Sequence, residues 1–182
     1  MKSICRALAF LALMFVASAS VAQPARPDPL APLAPLVGDW TGVGEGEPGT
    51  SAASRHAERV HDGRFIRVEG RSVYPKQEKN KSGEVHTSTD VWSYDKARGL
   101  IMLRQFDSLG FVSTYAQDKA ASREGHIVLV SEHLENVPAG WKARYTYDLI
   151  SVEEYREHFE LDPEGNGFKT YVLGRYLRDR AD

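Results

Sequence analysis

From residue 36 to residue 178 apolar and polar side chains alternate in short runs. Most runs are closed by glycine, proline, asparagine or aspartate. Alternation of period two with β-branched and aromatic residues is the mark of half-buried strands. It predicts ten of them, at 37–46, 52–60, 63–74, 84–94, 100–108, 110–118, 126–133, 140–150, 154–162 and 167–178. Several breaks carry turn chemistry: His61-Asp62-Gly63-Arg64, Asp95-Lys96-Ala97-Arg98-Gly99, and Asp162-Pro163-Glu164-Gly165-Asn166-Gly167. No window sustains a long period of 3.6; Leu149 to His158 comes nearest, and its Val152, Tyr155 and Phe159 suit a strand equally well.

Ten antiparallel strands in simple succession are best accommodated by closing the sheet on itself, which removes its edges. The expectation is an all-β protein: a roughly ten-stranded, antiparallel, up-and-down closed barrel over residues 36–180. A barrel of that strand number is wider than one filled by side chains alone. In 140–150, Trp141, Ala143, Tyr145, Tyr147 and Leu149 share one face, and in 154–162, Tyr155, Glu157, Phe159 and Leu161 do. These aromatic faces are expected to point inward. Arg104 shares a face with Met102 and Phe106, and that face is also assigned to the interior. The candidate ligand-binding set is therefore Met102, Arg104, Phe106, Tyr145, Tyr147, Tyr155, Glu157 and Phe159.

The N-terminal part of the chain reads differently. Lys2 and Arg6 precede an unbroken apolar run, Ala7 to Val16, and Ser20-Val21-Ala22 offers small residues at the positions a signal peptidase reads. A run of roughly ten residues is too short to span a bilayer, which takes ~20. Residues 1–22 are thus expected to be a signal peptide cleaved after Ala22, and the mature protein to be secreted or periplasmic. Residues 23–35 carry prolines at 24, 27, 29, 32 and 35 and form a Pro-rich leader. One short helical turn is expected near Leu30–Leu36, where Leu33 and Leu36 are placed to plug one end of the barrel.

Charge and cysteine count narrow the chemistry. The 182-residue chain has a formal net charge of −2, and losing Lys2 and Arg6 makes it two units more negative, −4. A mildly acidic, mixed surface has no electrostatic footprint for nucleic acid. The single cysteine is Cys5, inside the signal, so the mature chain has no disulfide, thiol nucleophile or cysteine–metal site. Gly44-Glu45-Gly46-Glu47-Pro48-Gly49 fits a dinucleotide fingerprint by letters, but Pro48 prevents the helix that motif must open. His158-x-Glu160 lacks the cysteines of a zinc deaminase. His56 and His61 flanking Glu58, and His126 and His133 bracketing a strand, show no convergence of three ligands. No Gly-x-Ser-x-Gly elbow is present, and Glu132, Glu135, Glu157 and Glu160 single out no catalytic pair. No catalytic residue and no metal site is assigned.

The first strand, Leu36-Val37-Gly38-Asp39-Trp40, opens with Gly-x-Trp. It resembles the first strand of the calycin barrels, which include lipocalins and fatty-acid-binding proteins. The longer Leu-x-Gly-x-Trp-x-Gly-x-Gly-x-Gly, Leu36 to Gly46, is similar to the nitrobindin-type heme-binding barrels. Trp92-Ser93-Tyr94-Asp95, Arg104 to Ser108, and Ser131-Glu132 through Gly140-Trp141 resemble exported lipocalin-like proteins of that group. The resemblance implies a barrel floor in which Trp40 packs under an arginine of the last strand, with Arg178 the best match and Arg175 the second. It also implies heme ligated by a last-strand histidine. The matching stretch here, Tyr171 to Arg178, holds no histidine, which leaves Tyr171 and Tyr176 as phenolate alternatives. The leading expectation is therefore a non-enzymatic barrel holding a small apolar or amphipathic molecule, with no cofactor, no nucleic acid and no membrane span. A nitrobindin-like heme barrel with nitrogen-oxide or peroxynitrite chemistry, and a filled barrel acting as an envelope interaction module, are the alternatives.

Overall fold

The computed structural model describes residues 27–180; the signal-peptide assignment and the first part of the Pro-rich leader lie outside them. A 3-10 turn, Ala31–Leu36, precedes ten strands: β1 Gly38–Gly46, β2 Gly49–Val60, β3 Phe65–Tyr74, β4 Glu84–Asp95, β5 Leu100–Asp107, β6 Val112–Gln117, β7 His126–Glu135, β8 Lys142–Leu149, β9 Glu154–Asp162 and β10 Lys169–Arg178. Every strand pairs antiparallel with its neighbours in sequence, and β1 pairs with β10 to close the barrel. The ten-stranded closed barrel expected from the alternation is the architecture observed. No helix among the described residues is long and apolar enough to cross a membrane.

One end is packed solid. Leu30, Leu33 and Leu36 of the N-terminal turn enter the barrel and are buried with Trp40, Ile66, Trp92, Leu103 and Leu129. Apolar side chains here come from nearly every strand, so this end carries the hydrophobic stabilisation of the domain. Arg178 seals it. Its guanidinium lies 4.2 Å over the Trp40 ring and donates to the carbonyls of Val37 (2.8 Å), Pro35 (2.7 Å) and Val152 (2.6 Å), while Trp40 Nε1 donates to Leu36 O at 2.9 Å. A planar fork with several donors suits this place, where an ammonium would serve one carbonyl at a time.

Two irregularities reset the alternation. The β6–β7 pairing shifts between Thr114 and Tyr115, so β7 presents Ile127 and Leu129 inward and then Leu134. The β9–β10 pairing passes from Thr170↔Glu160 to Val172↔Phe159, leaving Tyr171 as the extra residue of a bulge. A bulge re-aims a side chain that strict alternation would send outward.

The interior assignment of Met102, Arg104 and Phe106 is corrected by the register of β5. Leu103 pairs with Trp92 on one side and Tyr115 on the other, both buried, which fixes Ile101, Leu103 and Gln105 as the inner set. Arg104 is exposed and donates to Ser93 Oγ at 3.0 Å, Phe106 is 49% exposed, and Met102 is buried on the outer side under Arg98. A one-residue slip moves a whole strand face, and both faces of 101–106 carry large apolar groups, so composition could not decide between them.

Candidate functional site

Above the packed floor the barrel opens into a cavity of about 400 Å³, within the range of small-molecule sites. Its volume comes from small inward residues. Gly44 of β1, Ser51 of β2, Gly70 and Ser72 of β3, Ser113 of β6, Ala143 of β8 and Gly174 of β10 all line it. Two of the glycines have direct spatial reasons. A Cβ on Gly174 would stand 2.7 Å from the Tyr176 ring, and one on Gly70 would stand 2.6 Å from Ser88 Oγ and 3.3 Å from Arg55 Cδ. These positions clear space for larger side chains that cross the interior.

One wall is aromatic. Tyr145 stacks on Phe159 with centroids 4.5 Å apart, Tyr115 meets Tyr145 edge-on at 5.3 Å, and Tyr171 meets Phe159 edge-on at 5.8 Å. Such geometries add to the area term. The mouth is rimmed by Leu109 and Phe111 of the β5–β6 turn, by Val137 and Trp141 of the β7–β8 connection, and by Pro48. Leu109 is exposed, so the entrance is apolar.

The polar groups gather low in the cavity. Arg55 Nη2 stands 3.7 Å from Glu157 Oε2, each side chain 14% exposed, and the guanidinium lies 4.9 Å over the Tyr176 ring. Arg55 Nη1 donates to the carbonyls of Ser54 (2.9 Å) and Arg71 (3.3 Å). Burial works against the Arg55 cation, but Tyr176, Glu157, Tyr155 and Asp90 around it raise its pKa above the ordinary arginine value. Asp90 on β4 is 6% exposed. Burial pushes its carboxyl up to about 7; Arg55 opposes the shift and Glu157 adds to it. Asp90 Oδ1 has no hydrogen-bond partner. A space of about 10 Å³, enough for a single water, lies beneath the cavity, bordered by Arg55, Asp90, Glu157, Tyr147 and Tyr155.

Of the eight candidate ligand-binding residues, Tyr145, Glu157 and Phe159 line the main cavity. Tyr147 and Tyr155 face inward but belong to the layer below, where Tyr147 meets Trp92 edge-on at 5.0 Å and Tyr155 meets Trp40 edge-on at 4.7 Å. Met102, Arg104 and Phe106 lie on the outer surface. The alternation missed Arg55, Asp90, Gln105 and His86. Arg55 shares parity with Ser51, Ala53 and Ala57, a face too small and polar to read as interior. Asp90 shares parity with Trp92, which was a usable signal.

The residues present do not fit the tyrosine-ligated heme that the resemblance left open. Tyr176 is 2% exposed, stacked on Tyr155 at 4.7 Å and 7°, and burial raises its hydroxyl pKa, against the phenolate an iron would need. Tyr171 sits on the bulge near the mouth, and burial raises its pKa as well. Among the described residues no three His, Cys, Asp or Glu side chains converge on a metal position. His56 pairs with Asp39 at 2.6 Å, His126 with Asp148 at 2.5 Å, and His158 contacts Thr170 at 2.8 Å, all on the outer surface or at strand ends. Glu160 faces outward and holds Arg144 in a two-point ion pair at 2.6 and 2.7 Å, which lowers its pKa.

No protein-family model matches the chain, and no curated protein matches it. Among solved structures, the crystal structure of Rv2717c from M. tuberculosis matches with a TM-score of 0.60 and 16% identity, over 85% of this chain and 99% of that one. At that identity the likeness concerns the fold alone: this chain and Rv2717c share a barrel architecture.

Proposed function

We propose that the protein is an exported, non-enzymatic binding barrel that holds a small, largely apolar molecule in its interior. The observation that carries this reading is the open-mouthed cavity of about 400 Å³ above a sealed floor, with an aromatic wall and an apolar entrance. Removing ~200 Å² of apolar ligand surface from water at ~25 cal/mol per Å² supplies about 5 kcal/mol before the cost of association. A cavity of this size runs against the filled-barrel alternative. Export rests on the N-terminal segment ending at Ala22 and predicts a mature protein that begins at Gln23.

Native mass spectrometry of the protein purified from its own host tests both parts. The expected result is a chain starting at Gln23 that carries a non-covalent adduct of small-molecule mass. A bare chain that also fails to take up apolar probes would overturn the binding reading. A hemin titration in parallel is expected to give no Soret band at stoichiometric ratio. A band lost on Tyr171→Phe would restore the heme alternative.

A further inference from the structure

The lower cavity holds two acidic groups against one basic one, with Tyr176 hydrogen-bonded to Glu157 and with Ser88 and Gln105 reaching Asp90. Two carboxylates, Glu157 and Asp90, face one guanidinium. That guanidinium is already committed through Nη1 to the Ser54 and Arg71 carbonyls, and its 3.7 Å approach to Glu157 is longer than a hydrogen bond. Asp90 Oδ1, in a side chain more than nine-tenths buried, is left with nothing to accept from. An orphaned buried acceptor is costly, and a site that keeps one is incomplete until a donor arrives. Arg55 and Glu157 line both the main cavity and the small space that Asp90 borders, so they form the partition between the two.

We propose that the cavity is made for an amphiphile with a protonated amine, its ammonium group set against Glu157, with Asp90 behind that partition, and its apolar body along Tyr145, Phe159 and Tyr171. This rests on the binding reading above and names the ligand class. An ammonium brings one positive charge to a cluster with two acidic groups and one basic one, and donors beside an acceptor oxygen that lacks a partner. A carboxylate head would meet two carboxylates and an arginine already engaged. The aromatic wall favours a cation near it as well.

The protonation of Asp90 couples to this arrangement. Its carboxyl titrates near neutrality, mainly because it is buried, and an ammonium against Glu157 favours its ionised form through charge. Arg55 and Glu157 face it, as do Tyr115, Tyr145, Tyr147 and Tyr155, whose hydroxyls burial holds above their ordinary pKa and therefore neutral here. Amine affinity should therefore rise between pH 6 and pH 8, as fewer molecules must first give up the Asp90 proton. His86 and Asp107 line the same cavity, so the Asp90→Asn protein is the necessary control for that slope.

Calorimetric titration of the purified full chain with octylamine, 1-octanol and octanoate tests the proposal. Octylamine is expected to bind at least about tenfold tighter than either of the others, the scale of one charge-assisted hydrogen bond. Glu157→Gln should erase most of that preference and Asp90→Asn part of it, each leaving 1-octanol binding intact, which shows that the barrel is still folded. Asp90→Asn should also flatten the pH slope. Equal affinity for amine and alcohol, or tightest binding of octanoate, overturns the amine assignment and leaves the carrier reading standing. Binding of none of the three overturns both.

Discussion

Replacing Asp90 by asparagine should make this protein more stable at pH 8 than at pH 5, relative to the parent. The buried carboxyl titrates near 7 in the folded chain against 3.8 unfolded. Between those values the folded state binds a proton that the unfolded state has released. Stability from this group is therefore complete below about pH 4, falls as pH rises, and is gone above about pH 7. Integrated over the whole window the loss is about 4 kcal/mol, of which about 3 kcal/mol falls between pH 5 and pH 8. Asparagine keeps the shape and does not ionise, so it removes the loss. Titrating pairs away from Asp90, His56–Asp39 and Arg144–Glu160 among them, are common to both proteins and cancel in the comparison. Urea unfolding of parent and variant at the two pH values reads the quantity directly. The stability difference should move in favour of the variant by about 3 kcal/mol from pH 5 to pH 8, or roughly 6–12 °C in melting temperature for a domain of this size. An unchanged difference would mean that Asp90 is already ionised and satisfied in the fold, and the argument for an incomplete acceptor cluster would fall with it.

Three further outcomes follow from the floor and the cavity. Arg178→Ala should cost about 2–3 kcal/mol in urea unfolding, from three lost hydrogen bonds and the contact with Trp40, and Arg178→Lys should recover less than half of it. Leu33→Ala empties a fully buried position of the plug and should cost about 3 kcal/mol by the same measurement. Gly44→Val places a branched side chain on the inner face beside Ser51; it should weaken binding of 1-octanol about tenfold in calorimetry while circular dichroism shows an unchanged barrel.

The strand pattern was legible because nearly every strand carries its own alternation and its own turn. The ten expected segments overlap the ten observed ones, with ends displaced by three residues or fewer. Closure was legible from strand number. The site was harder to read because its signals are not local. Arg55 sits on a strand whose inner face is serine and alanine, a face kept small because Gly70, Arg55 and Tyr176 must share the space beyond it. Tyr171 reaches the cavity only through a bulge that no residue type announces. Strand β5 has apolar groups on both sides, and its facing is decided by Trp92 and Tyr115 on neighbouring strands. Glu157, Tyr145 and Phe159 could be assigned to the interior because their strands carry a one-sided aromatic pattern.

The pairing of β1 with β10 joins opposite ends of the domain, and Thr41 and Asp179, linked across the seam at 2.8 Å, are 138 positions apart. The other nine pairings are each between neighbours along the chain and can zip as the polypeptide lengthens. The seam must wait for β10, Lys169–Arg178. Until then the nascent sheet has two raw borders and no finished base, and joining its ends costs on the order of 4 kcal/mol in chain entropy. A chain made N-terminus first would thus become a container only when β10 is free to pair with β1.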